Sequence, residues 1–288
     1  MYFQHDAALW RDFPDLVPGV LYAAGITADA APETDPYIAT AKERLADGPE
    51  SEFPEIQAWR RAFARMGLKP TQYRCAAESL LRRFRKEGSL PRLHPLVDLC
   101  NAVSLAFAVP VAVLDADQVA WPLEVRYASG HEDYLTFGGE VEHPAPGEVI
   151  FADQAGQAHA RRWTNRQSGR SAVSPATSTV LIVAEALHEG AATTMPELID
   201  ALTTEIGSTW PATPQTAVLT PASPRFTPAR LSSKIRKQLS RATAPRPPPA
   251  ARTRPPAPPG AGPPVPGTGR PRPSRAGTRR SRRRPGSR

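Results

Sequence analysis

The chain has 288 residues, and its net charge of +8 is divided unevenly along its length. Residues 1–210 hold 18 Lys/Arg and 28 Asp/Glu, whereas residues 211–288 hold the other 18 Lys/Arg and no acidic residue. The first part therefore has a net charge of −10 and the second of +18. This division excludes the interpretation that the whole chain is a basic nucleic-acid-binding protein.

Cysteine content and hydropathy exclude further classes of protein. The two cysteines, Cys75 and Cys100, are too few for a disulfide scaffold and predict a protein of the reducing cytoplasm. No Cys/His motif with the spacing of a zinc site occurs, so we expect neither a metal nor a cofactor. The most apolar stretch, residues 105–114, is about half as long as a membrane span and contains Pro110, so we expect no membrane contact.

The first half of the chain predicts a buried strand followed by helices. The strand is indicated by an uninterrupted apolar run, and the helices by apolar residues that recur every three or four positions. Gly88 follows the third predicted helix and is typical of a helix end. The strand is predicted at 16–26 and the helices at 40–46, 53–66, 76–86 and 95–107.

The second half predicts a series of short strands that ends in one more helix. Alternating apolar and polar residues, with Gly, Pro, Asn and Ser between the runs, indicate half-buried strands. Helices at both ends of an antiparallel strand series predict an α+β fold, with a mostly antiparallel sheet and flanking helices. The strands are predicted at 109–115, 121–128, 147–153, 159–164 and 178–187, and the helix at 195–207 with Pro196 in its first turn.

The composition changes before the end of the chain. By our count, 19 of the 34 prolines lie in the last 78 residues, which predicts a folded domain at 1–213 and a disordered, basic Pro/Arg-rich tail at 214–288. Residues 230–239 are compatible with a transient basic helix. Two interpretations of the tail stay open: it contacts RNA electrostatically, or it is the product of a shifted reading frame in GC-rich DNA.

No catalytic motif of a known hydrolase, nucleotide-binding or metalloprotease class occurs, so the candidate site rests on polar residues in apolar surroundings. Arg74 and Glu78 form one such group, and Arg162 and Arg166 form another. These side chains are either a solvated ion-pair surface or a polar cleft for an anionic or hydroxyl-rich ligand, because the planar guanidinium group binds phosphate or carboxylate with two hydrogen bonds. Asp98 and Asn101 share one face of the helix at 95–107 and could reach one pocket.

Four segments occur in an order that is typical of one family. They are YRCAAESLLRR from Tyr73, LPRLHPLVDLCN from Leu90, GEVIFAD from Gly147 and RRWTNRQ from Arg161. With the surrounding sequence, over about residues 10–210, the chain resembles the tRNA synthetase B3/B4 family. This family comprises the editing module of the bacterial phenylalanyl-tRNA synthetase β subunit and short free-standing proteins.

The resemblance implies an α+β domain of the B3/B4 type that binds the aminoacylated 3′ end of a mischarged tRNA and hydrolyses its ester. The family does this with positioned water and polar groups, without a Ser or Cys nucleophile. For this chain it implies an editing protein that acts in trans and requires tRNA as its partner. No catalytic residue is assigned, and the candidate residues for binding the substrate or tRNA end are Arg74, Glu78, Asn101, Arg162, Asn165, Arg166 and Glu185.

The chain departs from the family pattern at three positions of the expected site. The family's pocket threonine falls on Cys100, its histidine on Ala112, and its strand glutamate on Val183, with Glu185 two residues further on the same strand face. These departures leave a second hypothesis open, a non-catalytic module that binds tRNA, RNA or an amino-acid-like ligand. A third hypothesis places the function in the basic tail.

Overall fold

The computed structural model describes residues 1–229 of the chain. It has an α+β architecture with mostly antiparallel sheets, as the sequence predicts. The helices are α1 Ala7–Asp12, α2 Asp35–Asp47, α3 Pro54–Arg65, α4 Ala76–Glu87, α5 Pro95–Phe107 and α6 Ala191–Thr209. The strands are β1 Phe3–His5, β2 Val17–Ala24, β3 Val111–Asp115, β4 Leu123–Tyr127, β5 Tyr134–Leu135, β6 Val141–Glu142, β7 Val149–Asp153, β8 Ala158–Arg161, β9 Arg166–Gln167, β10 Thr179–Ala186, β11 Gln215–Val218 and β12 Arg225–Phe226.

Two sheets organise the described part of the chain. One has the strand order β12-β1-β4-β7-β8-β9, in which β1 and β4 run parallel and the other neighbours are antiparallel. The second has the order β11-β2-β10-β3 with every neighbour antiparallel. A separate hairpin, β5–β6, is joined to the first sheet by backbone hydrogen bonds. Each sheet therefore brings together segments that lie far apart in sequence.

The second sheet is buried on both faces because alternate residues of its central strand pack against different partners. Ile182 and Ala184 of β10 lie in a cluster with side chains of α5 and α6. Leu181 and Val183 face the opposite way, into a cluster with α3 and with the first sheet. Gly19 of β2 lets α6 approach closely, since a Cβ atom there would lie 2.5 Å from the sulfur of Met195.

Helix positions agree with the predictions for α3, α4 and α5, and α4 stops before Gly88, whose φ of 74° favours glycine. Two helices begin earlier than predicted. The structure starts α2 at Asp35, and it starts α6 at Ala191, so Pro196 lies inside α6 rather than in its first turn. The proline is tolerated because the residue four positions before it, Ala192, is exposed and its carbonyl group can bond to water.

The folded part continues beyond the predicted boundary at residue 213. Strand β11 pairs with β2, and β12 pairs with β1, so residues 215–226 belong to the two sheets rather than to a tail. Leu219 and Phe226 are buried within the same core as Trp59 and Phe63. The remainder of the predicted tail, including the basic helix predicted at 230–239, lies outside the described residues.

Candidate functional site

A cavity lies where the second sheet meets the end of the first. It encloses about 400 Å³, part of which is open to solvent, and is mostly apolar, with a few polar groups from one loop and one strand. Its lining combines the start of α4, the start of β3, strands β7 to β9 and the end of β10. The lining residues are Ala76, Pro110, Val111, Ala112, Phe151, Ala160, Trp163, Thr164, Asn165, Arg166, Gln167, Val183 and Glu185.

A buried carboxylate, Glu185, lines this cavity. Its Oε1 atom accepts a hydrogen bond from the indole N–H of Trp163 at 2.8 Å and lies 2.6 Å from Nε2 of His5. All three residues are at most 2% exposed. Since both contacts are made to the same oxygen, they fix the carboxylate and leave its other oxygen, Oε2, without a hydrogen bond among the described residues.

The loop from Arg162 to Asn165 forms the rim of the cavity. Arg162 and Trp163 have φ angles of 46° and 57°, which turn the chain sharply after β8. Two hydrogen bonds tie the loop to the start of α4: the backbone N–H of Ala76 donates to the Thr164 carbonyl at 2.8 Å, and the Asn165 amide donates to the Arg74 carbonyl at 2.7 Å. The loop is therefore held against the start of α4.

Thr164 is a further residue of this lining. Its Oγ1 atom is buried and has no hydrogen-bond partner among the described residues. An unpaired buried hydroxyl costs free energy, and a bound water or ligand relieves that cost. Thr164 and Gln167 were not predicted from the sequence; their position inside the RRWTNRQ segment was the available signal.

The arginine side chains of the candidate set have different environments. Arg74 makes an ion pair with Glu78 at 3.3 Å, and Glu78, which is fully buried, also binds Arg60 at 2.6 Å. Arg166 donates to Glu142 at 3.1 Å. These two guanidinium groups thus already have carboxylate partners, which matches the ion-pair interpretation of Arg74, Glu78 and Arg166.

Arg162 differs from both. Its guanidinium group lies 4.7 Å from the ring centre of Tyr73 and makes no ion pair or hydrogen bond within residues 1–229. Its backbone N–H, in contrast, donates to Glu148 and fixes the start of the loop. Arg162 is therefore the arginine beside the cavity that is available to bind an anion.

Asn101 does not meet the other candidate residues, contrary to the sequence prediction. It lies with Asp98 in a second cavity of about 630 Å³, between α2, the end of α4 and α5. Asp98 and Asn101 do share this pocket, as predicted, and Asp98 accepts a hydrogen bond from the backbone N–H of Leu93. Helical spacing correctly predicted that Asp98 and Asn101 lie on one face of α5. That face lines the second cavity, beside α2, and not the cavity of Glu185.

Asn165, Arg166 and Glu185 do come together in the first cavity. Ala112 and Val183, the two positions where the resemblance places the family histidine and glutamate, lie opposite each other on β3 and β10 and line the same cavity. Glu185 follows Val183 on the same face of β10. It consequently supplies a carboxylate to the cavity from a position two residues further along the strand.

The two thiols are unsuited to nucleophilic chemistry. Burial raises the pKa of Cys75 to about 12 and raises the pKa of Cys100 further still. Neither residue lines the cavity around Glu185. Since the thiolate is the reactive form of cysteine, both residues have a packing role in the described structure.

A second buried polar cluster was missed by the sequence analysis. His159 contacts Ser171 Oγ at 2.8 Å and Asp153 at 3.1 Å, an arrangement of residue types like that of a hydrolase triad. His159 and Ser171 are fully buried, so no substrate reaches the hydroxyl group. Asp153 also accepts backbone N–H groups from Ala120, Ala155 and Gln157, and the cluster therefore stabilises the turn after β7.

Basic residues are concentrated in one segment of the chain. Residues 56–92 contain ten Lys/Arg but just two acidic residues, although the described part of the chain is acidic as a whole. This segment holds most of α3 and all of α4, and Ala76, the first residue of α4, lines the cavity. Arg61, Arg65, Lys69 and Arg83 of this segment are exposed.

No group of three or more His, Cys, Asp or Glu side chains in residues 1–229 is arranged to hold a metal ion. None of the helices that the structure describes combines the length and apolar character needed to cross a membrane.

The chain matches one family model and is similar to curated proteins. Residues 58–197 match the model of the B3/4 domain family. The phenylalanine–tRNA ligase beta subunit of Pasteurella multocida is 23% identical over 140 residues, which are 49% of this chain and 17% of that subunit. The corresponding subunit of Haemophilus influenzae strain 86-028NP is 22% identical over 121 residues, 42% of this chain and 15% of that subunit.

A solved structure was also matched. An N-terminal fragment of the phenylalanyl-tRNA synthetase beta subunit from Pyrococcus horikoshii aligns with a TM-score of 0.41 and 10% sequence identity. The alignment covers 74% of this chain and 49% of that fragment. The chain spans about a sixth of the length of the curated relatives named above.

Proposed function

Because residues 58–197 match the B3/4 domain model and the chain is similar to part of the phenylalanine–tRNA ligase beta subunit, we propose that the protein binds the aminoacylated 3′ end of a mischarged tRNA and hydrolyses its ester in trans. The cavity takes the aminoacyl group, and Arg162 binds a phosphate of the nucleotide end. The single observation that carries the proposal is the position of this cavity, with its buried carboxylate, inside the matched domain.

The polarity of the cavity supports an aminoacyl group as its occupant. The apolar lining suits the hydrocarbon part of the ligand, while Asn165 and Gln167 supply polar atoms. Each of these two amides donates its N–H to a backbone carbonyl, of Arg74 and Val113, which holds the side chain in one orientation.

The charge distribution supports an RNA partner. Phosphate contacts supply most of the non-specific binding energy of nucleic-acid-binding proteins, and the net charge of −10 over residues 1–210 disfavours such contacts on average. The segment at 56–92, in contrast, has a positive net charge, and its residue Ala76 lines the cavity. On this proposal, the tRNA end meets this segment at Ala76.

The reaction that we propose is a direct hydrolysis. A water oxygen bonds to the ester carbonyl carbon, the bond from that carbon to the ribose oxygen breaks, and the ribose oxygen takes the proton that the water loses. Catalysis on this scheme rests on positioning and on the polar groups of the lining.

One observation favours the second candidate, a non-catalytic module that binds the same tRNA end. Among the described residues, the lining contains no Ser, Cys or His side chain. The position of the family histidine is occupied by Ala112, which has no polar atom in its side chain. Both candidates predict binding of the aminoacylated end, and they differ in whether the ester is lost.

A deacylation assay with the full chain separates the candidates. A panel of mischarged tRNAs is incubated with the wild-type protein and with Arg162→Ala, and loss of the ester is followed with time. We expect faster loss than in buffer for at least one ester, and a decrease in kcat/KM of about 10-fold or more in the variant, since a charge-assisted hydrogen bond contributes about 1.5–3 kcal/mol.

Arg225→Ala is the matched control. Arg225 also stacks on a tyrosine, Tyr2, with 4.1 Å between the guanidinium carbon and the ring centre, but it lies at the opposite edge of the six-stranded sheet from β9. Its loss should leave deacylation unchanged. Wild-type rates equal to buffer for every ester would reject hydrolysis, and a large effect of Asn101→Ala would place the ligand in the second cavity instead.

A further inference from the structure

We propose that Glu185 binds the ammonium group of the ligand, so that the cavity accepts aminoacyl esters with a free α-amino group and rejects N-acylated ones. This inference rests on the proposed function, because it concerns the same cavity. It adds the chemical class of the ligand, a cationic amine, and the residue that selects it.

The hydrogen bonds of Glu185 are the first support. The N–H of Trp163 and Nε2 of His5 both meet Oε1, which leaves Oε2 without a hydrogen bond among the residues that the structure describes. The side chain of Glu185 is 2% exposed, and the residue lines the cavity. Glu185 lines the cavity, so Oε2 can accept a hydrogen bond from a donor on a ligand that binds there.

The charges around the cavity are the second support. Arg166 is the basic residue of the described lining, and its guanidinium group is bound to Glu142 at 3.1 Å. A carboxylate in apolar surroundings gains more from a cationic partner than from a neutral hydroxyl, because the Coulomb term is large where water is excluded. An anionic group is repelled from the same place, which directs the phosphate of the ligand outward, toward Arg162.

The ammonium group and the ester group of the ligand are close together in its covalent structure. In an aminoacyl ester, one carbon separates the ammonium nitrogen from the ester carbonyl. Anchoring the ammonium at Glu185 therefore holds the ester carbonyl inside the same cavity. Acylation of the amine removes its positive charge and adds bulk at the buried end, so both effects disfavour an N-acylated ligand.

Binding of two stable analogues by the full chain tests the inference. The first is 3′-(L-alanylamino)-3′-deoxyadenosine, in which an amide replaces the ester, and the second is its N-acetyl derivative; valine and phenylalanine versions extend the series. Isothermal titration should show binding about 10-fold or more tighter for the free amine in at least one pair. Equal affinity in every pair, or no binding of any free amine, would overturn the inference.

Glu185→Gln locates the effect. This variant keeps an acceptor oxygen but removes the charge, so the preference for the free amine should fall below about 3-fold while the affinity for the N-acetyl compound stays unchanged. The control is Glu197→Gln, an exposed carboxylate on α6, which packs on the face of the sheet opposite to Val183. A preference that persists in Glu185→Gln overturns the assignment, and the comparison of the two ligands on the wild type holds even if this variant fails to fold.

The results also separate the inference from the proposed function. A strong preference for the free amine without hydrolysis of any ester supports the ammonium site and rejects the deacylase. Hydrolysis of free and N-acetylated aminoacyl-tRNA at equal rates supports the deacylase and overturns the ammonium site.

Discussion

Replacing Trp163 by Phe removes the indole N–H that donates to Glu185 and keeps an aromatic ring between Phe13 and Trp59. The ring centres of these two neighbours lie 4.8 and 5.0 Å from that of Trp163. Because Trp163 is fully buried, the substitution also removes ring volume, which has its own cost. The measured loss of stability is thus the sum of a volume effect and a hydrogen-bond effect.

The chain itself supplies the controls that separate the two effects. Trp210 is 3% exposed and donates its indole N–H to the neutral carbonyl of Thr27 at 3.0 Å. Trp59 is 1% exposed, and its indole N–H has no partner among the described residues. All three Trp→Phe substitutions remove the same atoms from a buried site, so their differences report the acceptor that each indole N–H meets.

The expected magnitudes follow from the acceptors. A hydrogen bond to a charged group contributes about 1.5–3 kcal/mol and a neutral one about 0.5–1.5 kcal/mol. Relative to Trp59→Phe, we expect Trp210→Phe to lower the free energy of unfolding by about 1 kcal/mol and Trp163→Phe by about 2 kcal/mol. Urea unfolding of the full chain, followed by circular dichroism, measures these differences. If Trp163→Phe costs no more than Trp210→Phe, the picture of a charged carboxylate held by the indole is refuted.

Two further predictions concern packing and acid stability. Gly19→Ala places a Cβ atom 2.5 Å from the Met195 sulfur and should lower the free energy of unfolding by about 1–3 kcal/mol. The control is Gly207→Ala in α6, where no atom lies within 4 Å of the new Cβ, and it should raise the free energy of unfolding by about 0.5–1 kcal/mol. Equal effects of the two substitutions would contradict the close approach of α6 to β2. Burial opposes the charged form of Glu132, yet hydrogen bonds from the Ser129 backbone N–H and the Arg126 guanidinium outweigh it and lower the pKa of Glu132 to about 2. A carboxylate with a lowered pKa stabilises the fold above the pKa of the unfolded chain, so stability should fall as the pH decreases from about 4.5 to about 2. Glu132→Gln should be less stable than wild type at pH 7 and lose less stability over that interval, as thermal unfolding at each pH would show; parallel pH profiles for the two proteins would contradict this.

The sequence predicted those elements whose stability is local in origin. Helices α3, α4 and α5 carry a regular apolar stripe, and Gly88 ends α4, so a window of about a dozen residues contains the necessary information. Strand β1 spans three residues, and its place is decided by pairing with β4 and β12, which lie over a hundred residues away. Such an element has no local signature.

The same distinction explains the candidate site. Asn165 and Arg166 were found because they lie in one segment, and Glu185 because its spacing places it on the face of β10 that the resemblance indicated. The contact of His5 with Glu185 spans 180 residues in sequence and leaves no pattern to find. For Asn101, the sequence predicted the helix face correctly, but it did not predict that this face lies beside α2 in the second cavity.

The pairing of β1 with β12 makes this fold suited to insertion into other proteins. Phe3 lies opposite Phe226 and Gln4 opposite Arg225, so the strand that enters the described fold and the strand that leaves it lie side by side. A unit with neighbouring entry and exit points can be inserted into a loop of a host protein without forcing the two sides of that loop apart. The same geometry makes the fold suited to circular permutation, with residues 3 and 226 joined by a short linker and new ends opened in an exposed turn.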